Sequence, residues 1–353
     1  PVVTFVPASI PVCANTAQIL TPVITSGSGT WSTHSWTGDV GPLNNYFVQN
    51  PTFKTLLAST YNLNYKVKDS KGCYGNGDLA VVVDAPDATF AQDATAGCTP
   101  LTINFTKDMT GYTSFTWDYG DGSPVNTTVA GPTHIFLDTT KATIKYYTVK
   151  LTVNTAGGCS STKSSMVTVY PAINATFTAD KMTICSGGSI TFTAKPGASD
   201  YAWDFGDGVG GSGYVTSHLY TNFTTADVPY TVSLITTSFY SCTDTKTIIV
   251  TVRPIPAVSF TALPTPQTWS PTGNLVTIVN TTSPGTWTYA WKFGDGTTST
   301  LQNPPVHNYT TVGTFTIRLT ATNGLCADST KHDILILPLP PIANFDPVAD
   351  VCE

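Results

Sequence analysis

Residues 115–122 read Phe-Thr-Trp-Asp-Tyr-Gly-Asp-Gly. Side chains alternate along a strand, so Phe115, Trp117 and Tyr119 share one face and Asp118 takes the other. The strand then runs into Gly120-Asp121-Gly122. Glycines accept positive φ there, and an aspartate can take hydrogen bonds from nearby backbone N–H groups. The stretch returns twice, as Tyr201-Ala-Trp203-Asp-Phe205-Gly206-Asp207-Gly208 and as Tyr289-Ala-Trp291-Lys-Phe293-Gly294-Asp295-Gly296.

Other landmarks keep step with it. Phe5, Phe90, Phe177, Phe260 and Phe345 sit in similar short segments at intervals of 85, 87, 83 and 85 residues. His134-Ile-Phe136, His218-Leu-Tyr220 and His307-Asn-Tyr309 follow the tryptophans, and the alternating runs 147–153, 230–236 and 315–321 follow the histidines. Coincident landmarks at one period mark a repeat array. Each repeat alternates with period two between Gly, Asn, Asp and Pro turns, the pattern of an antiparallel β-sandwich of about seven short strands. The expected fold is all-β, tandem immunoglobulin-like sandwiches in an elongated rod. Residues 1–85 form a divergent first domain, followed by domains at 86–171, 172–254 and 255–338. Residues 339–353 hold the first strand of a further repeat. The junctions, such as Asp84-Ala-Pro-Asp87, are short and proline-bearing rather than Gly/Ser-rich, so a semi-rigid connection is expected.

The order Trp-Asp-Phe-Gly-Asp-Gly, then His-x-Tyr, then Tyr-x-Val-x-Leu-x-Val resembles the PKD domain, an immunoglobulin-like sandwich, over about residues 86–338. Repeat four departs at Lys292, where the others carry Asp118 and Asp204. Repeat one lacks the motif. Its stretches at 29–32, 45–51 and 61–73 are similar to divergent Ig-like repeats beside PKD domains in giant surface proteins of Bacteroidota, typically exported by the type IX system. That resemblance implies an extracellular adhesin, or a filament used in surface gliding.

Composition narrows the function classes. Only 11% of residues are charged, against about 25% in an average soluble protein. The acids are aspartates apart from Glu353, and the arginines are Arg253 and Arg318. Helix formers are scarce and Thr, Val, Ser, Tyr and Gly abound, which favours strands. A net charge of −6 leaves no basic stripe, so no nucleic-acid partner is expected. No apolar run reaches the ~18–20 residues of a membrane-spanning helix. The low charge also permits packing against neighbours without a large desolvation cost, so assembly with identical chains in a fibre is an expectation.

The aromatic stripe reads as core, with Trp117, Trp203 and Trp291 at its centre, rather than as a sugar-stacking platform. A shared calcium site is not expected. Lys292 breaks the acidic position, and the spacing lacks the glutamate at position twelve of an EF-hand loop. Asp121, Asp207 and Asp295 read as turn residues between their glycines. His134, His218 and His307 read as structural, each opening a strand beside its turn and hydrogen-bonding to it. An Asp and a His would need a nucleophile or a metal for hydrolysis, and no Ser or Cys matches across the three repeats. No enzyme activity and no cofactor are expected.

Eight cysteines form two sets: early ones at Cys13, Cys98, Cys185 and Cys352, and late ones at Cys73, Cys159, Cys242 and Cys326. Without a CxxC they read as disulfides of a secreted protein rather than as zinc ligands. Pairing within repeats gives 13–73, 98–159 and 185–242. The alternative follows from alternating strand directions, which place each early cysteine at the pole facing the late cysteine of the next domain. It gives Cys13–Cys159, Cys98–Cys242 and Cys185–Cys326, and it is the pairing favoured here. Asp138-Thr-Thr and Asp328-Ser-Thr resemble O-glycosylation sequons of Bacteroidota. The expected function is a stalk or filament segment of a cell-surface protein. Its partners would be neighbouring repeats of the chain, identical chains, or a surface polysaccharide or substratum. The alternative is an accessory substrate-binding module of a secreted polysaccharide hydrolase or protease.

Overall fold

The computed structural model describes residues 1–139 and 143–342. The strand expected over 339–353, with Phe345 and Cys352, lies outside them from residue 343 onward, as does Thr140 of the first sequon. Among the described residues there are strands and turns and no helix. The chain divides into two compact units, Pro1–Ala172 and Ile173–Glu353. Each contains two separate hydrophobic clusters, Val3 to Val83 and Ala88 to Val169 in the first, Phe177 to Val252 and Phe260 to Ile336 in the second.

The sandwich of residues 177–253 shows the plan in full. One sheet has three strands, ordered Phe177–Ala179, Gly188–Ala194, Val215–Tyr220. The other has five, ordered Thr183–Cys185, Thr243–Arg253, Val228–Thr237, Asp200–Asp204, Gly210–Ser212. The sandwich of residues 260–337 repeats this three-plus-five arrangement. That of residues 91–170 has sheets of three and four strands, and the first has a four-stranded sheet with two short pairs. These are tandem β-sandwiches built from the same alternation.

The central strand of each repeat shows why. Val149, Leu151 and Val153 point inward and are fully buried, as are Val232, Leu234, Ile317, Leu319 and Ala321. Between them the outward positions hold Lys150, Thr152, Ser233, Arg318 and Thr320. One residue breaks the rule. Thr236 stands in line with Val153 and Ala321, is buried, and its hydroxyl has no hydrogen-bond partner.

The entry strand is split. A first piece pairs in one sheet, and a second crosses over to run parallel to the end of the last strand. The parallel register is Cys13↔Asp84, Cys98↔Tyr170 and Cys185↔Arg253, with Thr268↔Leu337 in the fourth repeat. This crossing sets each early cysteine beside the last residue of its own sandwich.

Candidate functional site: a turn clasp and disulfide junctions

The Gly-Asp-Gly turns come first. Asp207 Oδ1 accepts the Val209 N–H at 3.1 Å, and Asp121 and Asp295 do the same for Ser123 and Thr297 at 3.0 Å each. Ser123 and Thr297 add their hydroxyls at 2.5 and 2.6 Å. The first glycine of each turn has φ of 73°, 83° and 89° at Gly120, Gly206 and Gly294. A Cβ there would lie 2.5 Å from Thr148 O, 2.5 Å from Thr231 O and 2.7 Å from Thr316 N. The second glycines, Gly122, Gly208 and Gly296, share the positive φ, but a Cβ there would meet open space. The two glycines serve different needs: close approach to the central strand, and backbone handedness alone.

The second oxygen of each aspartate meets a histidine. Nε2 of His134, His218 and His307 lies 2.7, 2.6 and 2.7 Å from Oδ2 of Asp121, Asp207 and Asp295. An ionised carboxylate only accepts, so the Nε2–H donates. The pairs are largely covered, with side-chain exposures of 12–21%. Each imidazole stacks on the aromatic before its turn, with centroids 3.7 Å apart for Tyr119–His134, 4.2 Å for Phe205–His218 and 4.3 Å for Phe293–His307. Its edge meets Phe136, Tyr220 or Tyr309 at 4.6–4.7 Å. Tyr220 and Tyr309 then donate their hydroxyls to the carbonyls of Phe205 and Phe293 at 3.1 and 2.7 Å. The difference between His-x-Tyr and His-x-Phe in the sequence is the signal for this bond.

Burial by itself would raise the carboxyls of Asp121, Asp207 and Asp295. The hydrogen bonds they accept from Ser123, His218, Thr297 and their counterparts outweigh it and hold all three below the usual carboxylate value of 3.8. A depressed folded value means stability present above the unfolded value and lost as pH falls through the folded one. We expect Asp207→Asn to be less stable than the parent at pH 7, and the gap to close as pH drops below about 4. Chemical denaturation from pH 7 to pH 2 checks this, and a gap constant across that range would remove the carboxylate as its source.

Asp118 and Asp204 accept the N–H of Gly120 and Gly206 at 2.9 and 2.8 Å. Lys292 stands in the matching place, and the turn keeps its form around Gly294. Among the described residues no three His, Cys, Asp or Glu side chains gather to hold a metal ion. Trp117, Trp203 and Trp291 are 0–4% exposed. Trp203 and Trp291 donate Nε1–H to Gly213 O and Leu301 O at 2.8 and 2.9 Å, whereas Trp117 Nε1 is buried without a partner.

Repeat one has its own version, which its sequence did not announce. The buried tryptophan there is Trp36, bonded through Nε1 to Val48 O at 2.9 Å and packed 4.9 Å from Tyr65. Burial pushes the Tyr65 phenol up to about 12 and the His34 imidazole down. The Tyr65 hydroxyl and His34 Nδ1 form a hydrogen bond of 2.6 Å.

The structure brings Cys13 and Cys159 together in a disulfide, Cα–Cα 5.4 Å, and Cys185 and Cys326 in another, Cα–Cα 5.6 Å. Each joins the crossed entry strand of one sandwich to the last hairpin of the next. The hairpin carbonyls of Cys159 and Cys326 accept the N–H of Thr155 and Asn323 at 3.0 and 3.1 Å. At the second junction Arg253 Nη1 donates to Asn323 O at 3.3 Å, and Asn323 Nδ2 donates to Pro254 O at 3.2 Å. Cys98 and Cys242 are also disulfide-bonded, and Cys73 is a free, exposed thiol.

Comparison with known proteins gives three findings. Residues 82–169 and 266–335 match the family model described as the PKD domain. No curated protein sequence matches the chain. Similar solved structures include an ICAM-5 ectodomain fragment (9% identity, 94% of this chain and 98% of that one, TM-score 0.42). They also include the insect immune protein hemolin (12%, 94% and 98%, TM-score 0.30). A third is a Ca2+-stabilized adhesin with which an Antarctic bacterium binds ice (13%, 96% and 99%, TM-score 0.31). The chain is an array of tandem β-sandwich domains, similar over its two matched segments to the PKD domain.

Proposed function

We propose that this chain is a structural stalk or filament segment of a secreted cell-surface protein, serving adhesion or surface gliding. The observation that carries the reading is the stapling of consecutive sandwiches by Cys13–Cys159 and Cys185–Cys326. A disulfide between neighbours constrains how domains are joined, which matters for a spacer and not for a catalyst. Two further features support it. The histidines and aspartates that could have done acid–base work are tied into turns, in three copies. Trp117, Trp203 and Trp291, which recur at the repeat period, are buried, so this repeated stripe offers no exposed row on which a polysaccharide could stack.

Antibodies against this segment should label the outside of intact producing cells, and deleting the segment in frame should abolish attachment or gliding. Export without surface retention, combined with loss of polysaccharide or protein degradation on deletion, would favour the accessory-module alternative and end the stalk reading.

A further inference from the structure

The connectivity of the two disulfides has a mechanical consequence, which deepens the stalk reading. Cys13–Cys159 closes a loop with a sequence separation of 146 residues, and Cys185–Cys326 closes one of 141. Each loop holds most of one sandwich, the junction after it, and all but the last strand of the next. A chain pulled from its two ends transmits force along its shortest covalent path. Here that path is residues 1–13, the first disulfide, residues 159–185, the second disulfide, and residues 326–353. It includes about 70 of the 353 residues. Its full extension is roughly 240 Å, against roughly 1,200 Å for the whole chain, at ~3.3–3.6 Å per residue.

We infer that the chain is a tension-bearing tether in which the disulfides route force past the hydrophobic cores, so that the sandwiches stay folded under a pull that would otherwise unravel them. Tension passes from Cys13 straight to Cys159 and enters the strand Ser160–Tyr170 at its first residue. It crosses the short segment to Thr183–Cys185, jumps to Cys326, and leaves along Ala327–Leu337. The tryptophans, the Asp–His clasps and the junctions after Asp84 and Arg253 all fall inside the bypassed loops. Pairing within repeats would shield parts of each sandwich but would leave every junction on the force path. The pairing observed takes the junctions after Asp84 and Arg253 off it and leaves on it only the one after Tyr170.

Single-molecule force spectroscopy on the full chain, held at its two ends, tests this. The oxidised chain should show no unfolding step of sandwich size up to the force at which the attachment fails. Adding tris(2-carboxyethyl)phosphine should release four steps, each on the order of 250 Å. That size follows from repeats of 83–87 residues at ~3.3–3.6 Å per residue, less the folded span. The Cys13→Ser/Cys159→Ser double variant should put residues 14–158 on the force path and give sandwich-sized steps without reductant. Sandwich-sized steps in the oxidised parent would overturn the inference. A second readout does not depend on how the variant folds. A protease site replacing residues 85–88 should, once cut, leave its fragments joined until reduced. Fragments that separate without reductant would also overturn it. Neither outcome bears on where the protein sits on the cell, so failure here is distinguishable from failure of the stalk reading.

Discussion

Gly206→Ala will destabilise the third sandwich by about 3 kcal/mol or more, while Gly208→Ala, two residues on, will cost only about 1–2 kcal/mol. Both positions have positive φ, 83° and 89°, so both substitutions carry the left-handed penalty of about 1–2 kcal/mol. Only Gly206 adds a collision. Its Cβ would stand 2.5 Å from Thr231 O and 2.9 Å from Thr231 N. Those atoms belong to Val228–Thr237, a strand paired on both sides with Asp200–Asp204 and Thr243–Arg253. Thr231 is held in the ladder to Ile249, two residues from the end of the other ladder at Ser233, so the turn must shift and the Asp207–His218 bond with it. Overpacking of this kind costs a further 1–3 kcal/mol or so. Native-state hydrogen exchange at the amides of 228–237 in the intact chain measures the difference. Equal costs at the two glycines would show that approach to the strand does not matter.

Trp203→Ala will cost about 3–5 kcal/mol, the range for a buried aromatic truncated in a core that cannot collapse. The indole is 4% exposed and packs 4.9 Å from Phe177 and 5.7 Å from Phe192. The milder change to phenylalanine separates hydrogen bonding from packing. Trp203→Phe loses the bond to Gly213 O, whereas Trp117→Phe loses none, because Trp117 Nε1 has no partner. Trp203→Phe should therefore be the costlier by about 1 kcal/mol. Thermal unfolding of the two variants checks the order, and Trp117→Phe as the costlier would contradict it.

Much of this architecture is legible in the sequence because each repeat comments on the others. Comparing Asp118, Asp204 and Lys292 shows a position that tolerates change. Comparing Asp121, Asp207 and Asp295 shows one that does not vary, and the structure gives it a hydrogen bond on each oxygen. Repeat one offered no such comparison. The stretch Trp31–Gly38 holds two tryptophans five residues apart, and its ladder slips in register between Trp31 and Thr33. That irregularity breaks the period-two count, so nothing in the sequence marks Trp36 as the buried ring. The crossed entry strands were also hidden. Pieces of two to five residues, such as Gln267–Thr268 and Ser9–Cys13, are too short to show a period, and a parallel ladder leaves no turn signature between its partners. The unpaired Thr236 hydroxyl is invisible for a different reason: threonine suits a strand by propensity, whichever face it lands on.

The covalent joining of neighbouring sandwiches is the claim on which the rest depends, and peptide mapping under non-reducing conditions tests it most directly. Mass spectrometry of the digested, unreduced protein should find the peptide of Cys13 linked to that of Cys159 and the peptide of Cys185 linked to that of Cys326. Linkage of Cys13 to Cys73, Cys98 to Cys159 and Cys185 to Cys242 would contradict it, because each repeat would then be closed on itself.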